Sequence, residues 1–408
     1  MKTNPCLAHL LVMMALLLIA PSGLTQQHVV QLGPRPYFLI SQLANSDLKK
    51  QLAQCENMSF SKKEFSIGHR GAALMFPEHT RESYEAAARM GAGIIECDVT
   101  FTKDKELVCR HAQNDLHTTT NILLTPLASK CTRPFKPYDP AHNLAADAEC
   151  RTSDITLAEF KTLRGKMDGF NPRALSPEEY VNGTPPWRTD LYSGATSGTL
   201  VSHKESIQIF KQLGVKMIPE LKEAVVPMPF DGMTQQDYAQ KLIDEYKLLG
   251  IAASNVYLQS FHWKDIQYWL KHEPMFAKQA ILLESAESIQ DLMDPTTLKN
   301  RRSQGLRWVG APIFSLIQIS GDDFAPSEYA KELISNGFGI IAWTLERSGT
   351  LTGQDKGGWY YQSVQSKITG PGDTYVVLDL LAQKVGVSGV FSDWPATTTY
   401  YANCLNLR

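Results

Sequence analysis

Three short stretches of this chain combine side chains that handle protons, cations and phosphate. Gly68-His69-Arg70-Gly71 sets an imidazole beside a guanidinium, Glu96-Cys97-Asp98 separates two carboxylates by one residue, and Pro219-Glu220-Leu221-Lys222 separates a carboxylate from an ammonium in the same way. A spacing of two places both members of a pair on one face of a strand. Where those faces converge, Glu96, Asp98 and Glu220 make a set of hard oxygen donors without a soft ligand, which selects one divalent cation, Ca2+ or Mg2+, over zinc or copper. Taken singly, each pair is more often a solvated edge or a salt bridge. The weight lies in finding such pairs at successive strand ends.

Two histidines extend the set. His69 ends an apolar run, and His111 ends Glu106-Leu107-Val108-Cys109-Arg110-His111, which returns from a turn at Thr102-Lys103-Asp104-Lys105. A hairpin of that length brings His111 back beside Glu96 and Asp98. Two imidazoles flanking a metal suit phosphodiester cleavage, one accepting the nucleophile's proton and the other protonating the leaving oxygen. Arg70 and Lys222 supply positive charge for the phosphoryl oxygens, one as a planar fork and one as a point charge. His79, His117, His203 and His262 have no acidic pair beside them at a strand end and read as structural or surface residues.

These residues need a scaffold that gathers strand ends. Short apolar runs recur at Phe65 to Gly68, Gly93 to Val99, Val215 to Leu221, Val256 to Phe261, Ala280 to Leu283, Gly310 to Ile317, Gly339 to Trp343 and Gly389 to Ser392. Between several of them lie helix-periodic stretches, such as Thr80 to Met90 before Gly91 and Asp237 to Tyr246 before Gly250. Buried strands alternating with amphipathic helices indicate a parallel sheet, and eight strands predict a closed (β/α)8 barrel rather than an open sheet. No Gly-x-Gly-x-x-Gly turn supports a dinucleotide fold. A Pro-, Thr-, Asp- and Gly-rich segment at about 112–213 reads as an insertion after the second strand and its hairpin, and a second irregular stretch, Ser348 to Thr374, follows the seventh run. Loops that follow barrel strands gather at the C-terminal face, where either insert could wall a pocket.

The chain has 408 residues, 43% hydrophobic and 20% charged, which excludes a disulfide-stapled peptide and wholesale disorder. A formal charge of −2 provides no global basic field, which argues against nucleic acid as a partner. Residues 1–25, with Lys2 before an apolar run from Leu10 to Ala20, read as a secretory signal peptide, leaving 26–408 as the mature domain, secreted or periplasmic. That run falls short of the ~20 apolar residues of a membrane span, and none is longer, so no stable span is expected.

Six of the seven cysteines lie beyond Cys6 in the leader, and an even number in an exported chain predicts disulfides. Cys97 and Cys109 flank the hairpin turn, Cys131 and Cys150 bracket a Pro-rich loop, and Cys55 with Cys404 remain by elimination. The rival, a zinc site, lacks any Cys-x2-Cys pair. Asn57-Met58-Ser59 and Asn182-Gly183-Thr184 are glycosylation acceptors in a eukaryotic secretory pathway.

Taken in order, Ile67-Gly68-His69-Arg70-Gly71, Pro77-Glu78-His79-Thr80, Ile95-Glu96-Cys97-Asp98-Val99, Glu220-Leu221-Lys222, Gln259-Ser260-Phe261, Trp343-Thr344 and Ser392-Asp393-Trp394-Pro395 resemble the glycerophosphodiester phosphodiesterase family across about residues 65 to 400. The resemblance implies a TIM barrel with Glu96, Asp98 and Glu220 as metal ligands, His69 and His111 as the acid/base pair, and Arg70 and Lys222 on phosphate. It also implies a substrate contact from Trp343 and, for Glu78, either support from behind the site or a contact to a glycerol hydroxyl of the substrate. The expected partner is a small glycerophosphodiester, hydrolysed to glycerol 3-phosphate and an alcohol, with the glycerol 2-hydroxyl as internal nucleophile giving a cyclic phosphate that water then opens. Two residues depart from the family pattern. Ala112 stands where the family commonly has Asp after the histidine, with Asp115 as a nearby substitute, and His79 stands where it often has Asn. The rival readings are a phospholipase D of the sphingomyelinase type on the same barrel and a noncatalytic secreted binding or wall-associated module.

Overall fold

The computed structural model describes residues 29–189 and 198–408. The signal-peptide reading of residues 1–25, with Cys6, lies outside them.

Eight parallel strands form the barrel: β1 (Lys63–Gly68), β2 (Ala92–Phe101), β3 (Lys216–Leu221), β4 (Gln259–Ser260), β5 (Ile281–Leu283), β6 (Trp308–Pro312), β7 (Gly339–Trp343) and β8 (Gly389–Ser392). Each pairs with its successor, and β1 closes the ring by pairing with both β2 and β8. Every expected apolar run contributes a strand. The fourth supplies only two residues, and the sixth breaks after Pro312 into a helical turn, Ile313–Leu316.

Period-2 alternation sorts the side chains into two layers. Ile67, Ile94, Ile218, Ile281, Ile341 and Phe391 pack inside the barrel. Ile95, Cys97, Val99, Met217 and Leu221 face outward into the larger core beneath the helices. The inward set therefore runs Ile94, Glu96, Asp98 on β2 and Ile218, Glu220 on β3, apolar at depth and acidic toward the C-terminal mouth. Register places Asp98 opposite Glu220 and Glu220 opposite Gln259.

The helix Arg81–Arg89 starts at Thr80, whose hydroxyl accepts from the Ser83 amide, and the helix Gln235–Leu248 starts at a capping box of Thr234 and Asp237. The hairpin pairs Leu107–Cys109 antiparallel with β2, setting Val99 opposite Cys109. After it comes an irregular layer with its own small core, in which Leu116, Ile122, Phe160, Tyr180 and Leu200 are buried. The segment expected as an insertion at about 112–213 is not uniform. Its last part, His203–Leu213, is a regular helix packed on β2 and β3 as their crossover, because Ile207 and Phe210 turn an apolar face to the strands. The irregular layer thus ends near Ser202.

All three expected disulfides are present: Cys55–Cys404, Cys97–Cys109 and Cys131–Cys150. The first ties the N-terminal helices Arg35–Ser41 and Asp47–Ala53 to the last helix, Ala396–Cys404, against which both pack. No helix among the described residues is long and apolar enough to cross a membrane.

Candidate active site

The C-terminal ends of β1, β2, β3, β4 and β8 surround an inner cavity of about 80 Å3 lined by His69, Arg70, Glu96, Asp98, His111, Glu220, Lys222 and Gln259. One carboxylate oxygen from each of Glu96, Asp98 and Glu220 lies within 4.8 Å of the others, and all three residues are buried. Burial first, then the charges of Asp98 and Glu220, pushes Glu96 well above the usual carboxylate range. Burial also raises Glu220 to about 7, although Lys222 Nζ stands 2.6 Å away. Burial acts on Asp98 in the same direction but is outweighed by His79, Lys222 and Arg70, which hold it low.

Each acid is oriented from behind. Glu96 accepts from the Arg70 amide at 2.9 Å and from Gln259 Nε2 at 3.1 Å. The Arg70 amide points there because Arg70 adopts φ 55°, in the left-handed region that costs a non-glycine residue energy. The next residue, at φ 97°, must be Gly71, since a Cβ there would stand 2.3 Å from Ser83 Oγ. Asp98 Oδ2 pairs with His79 Nε2 at 2.9 Å, leaving Oδ1 buried without a donor. Gln259 Oε1 is likewise buried and unpaired. Clustered acids with unmet acceptor oxygens fit a hard divalent cation, which would neutralise the one and satisfy the other.

His69 is held by Asp393 at the end of β8, with Nδ1 2.5 Å from Oδ1, while Nε2 faces Glu96 at 3.9 Å. Desolvation lowers the His69 pKa more than Asp393 restores it, so the ring is neutral at pH 7 and its Nε2 lone pair faces the cavity. His111 stands where the inner cavity meets an outer one of about 620 Å3 and lines both. Desolvation, Arg70 and Lys222 all depress its pKa. The carboxylate of Asp115 accepts from the Ala112 amide at 3.2 Å and so supports the chain just past His111.

Eight of the nine residues singled out from sequence for catalysis, substrate or metal line the inner cavity, Trp343 among them, and Trp343 lines the outer cavity as well. Glu78 does not line either one. It is buried behind Arg70, accepting from Nη1 at 3.1 Å and from Arg347 Nη2 at 2.7 Å, so it fixes two guanidiniums in place.

Four contributors escaped the sequence reading. His79 reads as structural because no acidic pair sits beside it at a strand end, yet Asp98 meets it in space. Gln259 and Asp393 sit in strand-end motifs, and the rule that found Glu96 and Glu220 could have found them. Arg347, in the loop after β7, bridges Glu78 and Asp393 with no local signal.

The model of the Glycerophosphoryl diester phosphodiesterase family matches residues 69–397. A protein of Arthroderma benhamiae named "Extracellular protein" is 44% identical over 246 residues, covering 59% of this chain and 100% of that one. A glycerophosphodiester phosphodiesterase of Arabidopsis thaliana is 26% identical over 292 residues, covering 70% of this chain and 66% of that one. Among solved structures, a candidate glycerophosphoryl diester phosphodiesterase from Silicibacter pomeroyi superposes with a TM-score of 0.56 at 16% identity, covering 87% of this chain and 98% of that one. An Oleispira antarctica phosphodiesterase in complex with the product sn-glycerol-3-phosphate gives 0.50 at 16% identity, covering 85% and 97%. At these identities the structural likeness is one of fold.

Proposed function

The chain belongs to the glycerophosphoryl diester phosphodiesterase family, and we propose that it hydrolyses glycerophosphodiesters such as glycerophosphocholine to glycerol 3-phosphate and an alcohol, with His69 and His111 as its acid/base pair. The observation that carries this reading is the convergence, around one small cavity, of three buried acids, two cations and two imidazoles on different strand ends. The product held by the Oleispira antarctica relative is consistent with it.

Glu96, Asp98 and Glu220 would hold one divalent cation, and their all-oxygen donor set favours Ca2+ or Mg2+. When bound, such an ion offsets the acidic charge and withdraws electron density from the phosphoryl oxygens. Arg70 and Lys222 bind the remaining phosphoryl charge. Asp393 fixes the tautomer of His69, so Nε2 takes the proton of the attacking glycerol 2-hydroxyl, in the family's manner; the P–O bond to the head-group alcohol breaks to leave a cyclic phosphate, which water then opens to glycerol 3-phosphate with the two histidines exchanging roles. His111, at the junction of the two cavities, stands where the leaving alcohol departs. Burial first, then the field of Arg70 and Lys222, disfavours a proton on His111; an incoming phosphodiester anion counters that field, and His111 then carries a proton from solvent to the leaving oxygen.

The leader, the three disulfides and the extracellular relative support secretion. Asn57 and Asn182 are exposed, as glycosylation requires.

The test is turnover of glycerophosphocholine and sphingomyelin by the parent chain, His69→Ala and His111→Ala with divalent cation supplied. Each variant should lose about 10²-fold or more in kcat with the fold and cation binding retained. Preference for sphingomyelin would overturn the substrate reading, and turnover equal to the parent's would remove that histidine from the mechanism.

A further inference from the structure

The outer cavity differs in chemistry from the inner one. Its walls include Phe261, Trp343, Trp359 and Tyr360, together with the carboxylates of Glu223 and Glu287. Three of the ring pairs stand across one another, Trp359 and Tyr360 at 4.8 Å and 78°, Trp343 and Tyr360 at 5.6 Å and 78°, and Phe261 and Trp343 at 6.0 Å and 89°, while Trp343 and Trp359 are tilted by 33° at 5.9 Å. The rings touch one another and so form one packed aromatic wall of the cavity, whose outward faces and edges border the open space.

Trp359 is fixed from two sides. Its Nε1 donates to the Glu287 carbonyl at 3.2 Å, and Phe314 packs edge-on at 4.9 Å. Among the described residues neither Glu223 nor Glu287 forms an ion pair with Lys or Arg, and Glu223 meets only His262, at 3.8 Å. The one Lys or Arg in the lining, Lys222, pairs with Glu220 at 2.6 Å and also lines the inner cavity, where its charge serves the phosphate. A ring face attracts a cation through its quadrupole, and an unpaired carboxylate adds to that attraction.

We infer that the outer cavity is a head-group subsite selective for a cationic, quaternary-ammonium alcohol, with Trp359, Tyr360 and Trp343 as the aromatic wall against which the ammonium rests and Glu223 and Glu287 supplying the opposing charge. The inference rests on the diesterase reading, which it deepens. His111 lines both cavities, so a phosphate beside Arg70 and Lys222 places its leaving alcohol across His111 and against that wall. One diester thus meets positive charge at its phosphate and negative, aromatic surface at its head group. A neutral or anionic head group gains neither cation–π attraction nor the carboxylates.

The experiment compares kcat/KM of the full chain, with divalent cation supplied, on glycerophosphocholine, glycerophosphoethanolamine, glycerophosphoglycerol and glycerophosphoinositol. In parallel, tryptophan fluorescence is titrated with choline chloride alone. Glycerophosphocholine should be favoured over glycerophosphoglycerol by about tenfold, the scale of a partly desolvated cation–π contact, and choline should quench the fluorescence saturably. Trp359→Leu and Glu287→Gln should each reduce that ratio and weaken the quench, and Trp359→Phe, which keeps a ring, should restore part of both. Because Glu287 is exposed, its variant tests the inference even where Trp359→Leu fails to fold. Equal kcat/KM on all four diesters with no quench overturns the subsite and leaves the diesterase standing. A preference for inositol overturns it in favour of a ring-stacking polyol site. Saturable quenching without turnover of any diester overturns the diesterase and retains the cation subsite. Neither turnover nor quenching overturns both.

Discussion

Nδ1 of His69 lies 2.5 Å from Oδ1 of Asp393, across 324 residues of sequence and the seam where β1 meets β8. Arg347 Nη1 stands 3.5 Å from the other oxygen of Asp393, and its Nη2 pairs with Glu78, which in turn anchors Arg70. One buried chain of charges therefore sets both the imidazole tautomer and the position of the Arg70 guanidinium.

Replacing Asp393 with Asn should separate tautomer control from charge. An Asn amide that donates to Nδ1 favours the tautomer with its proton on Nε2, removing the acceptor that faces the cavity. We expect kcat to fall about 10²-fold with KM little changed, the scale of a general base held in the wrong form. Unchanged kcat across the pH profile would show that Asp393 does not position His69.

Chelation should lower thermal stability. Three buried carboxylates within 4.8 Å repel one another until a cation neutralises them. A ligand at 100 times its dissociation constant stabilises by about 2.7 kcal/mol, so the melting temperature should drop by on the order of a few degrees and recover with Ca2+ or Mg2+. An unchanged melting temperature with full turnover after exhaustive chelation would refute the metal site.

The six cysteines of the described residues are all paired, so thiol titration of the denatured, unreduced mature chain should find no free thiol. One thiol per chain would show that the leader with Cys6 is retained, and two or more that a pair is open. Cys55→Ser with Cys404→Ser, which opens the longest loop, should cost ~2–5 kcal/mol in guanidinium unfolding.

Stability should also fall between about pH 4.5 and 7 through Glu346. Burial is the main reason its carboxyl is raised from its ordinary value of 4.5 to about 7. In that window the folded chain keeps a proton that the unfolded chain has lost. The stabilisation is therefore complete below pH 4.5 and is lost as pH rises through about 7, with a slope approaching ~1.4 kcal/mol per pH unit for one proton. Glu346→Gln should flatten this part of the denaturation profile relative to the parent, and parallel profiles would show that Glu346 ionises normally.

Much of this protein is decided locally and is legible in the chain. The eight apolar runs become the eight strands because burial on both faces demands continuous hydrophobic sequence. Two-residue spacing carries Glu96 and Asp98 to the face that Ile94 already marks as inward, and the Lys103-Asp104 turn brings Cys109 opposite Val99 and His111 to the mouth. Tertiary structure decided the partners that meet only when the barrel closes: Asp393 on His69, His79 on Asp98, and Arg347 between Glu78 and Asp393. It likewise decided that Trp343, Trp359 and Tyr360 share a cavity with Glu223 and Glu287. Hydrophobic periodicity reports which face of an element is buried and carries no term for which distant side chain waits on the other side. That assignment comes from strand order, register and the packing of loops at the barrel's C-terminal face.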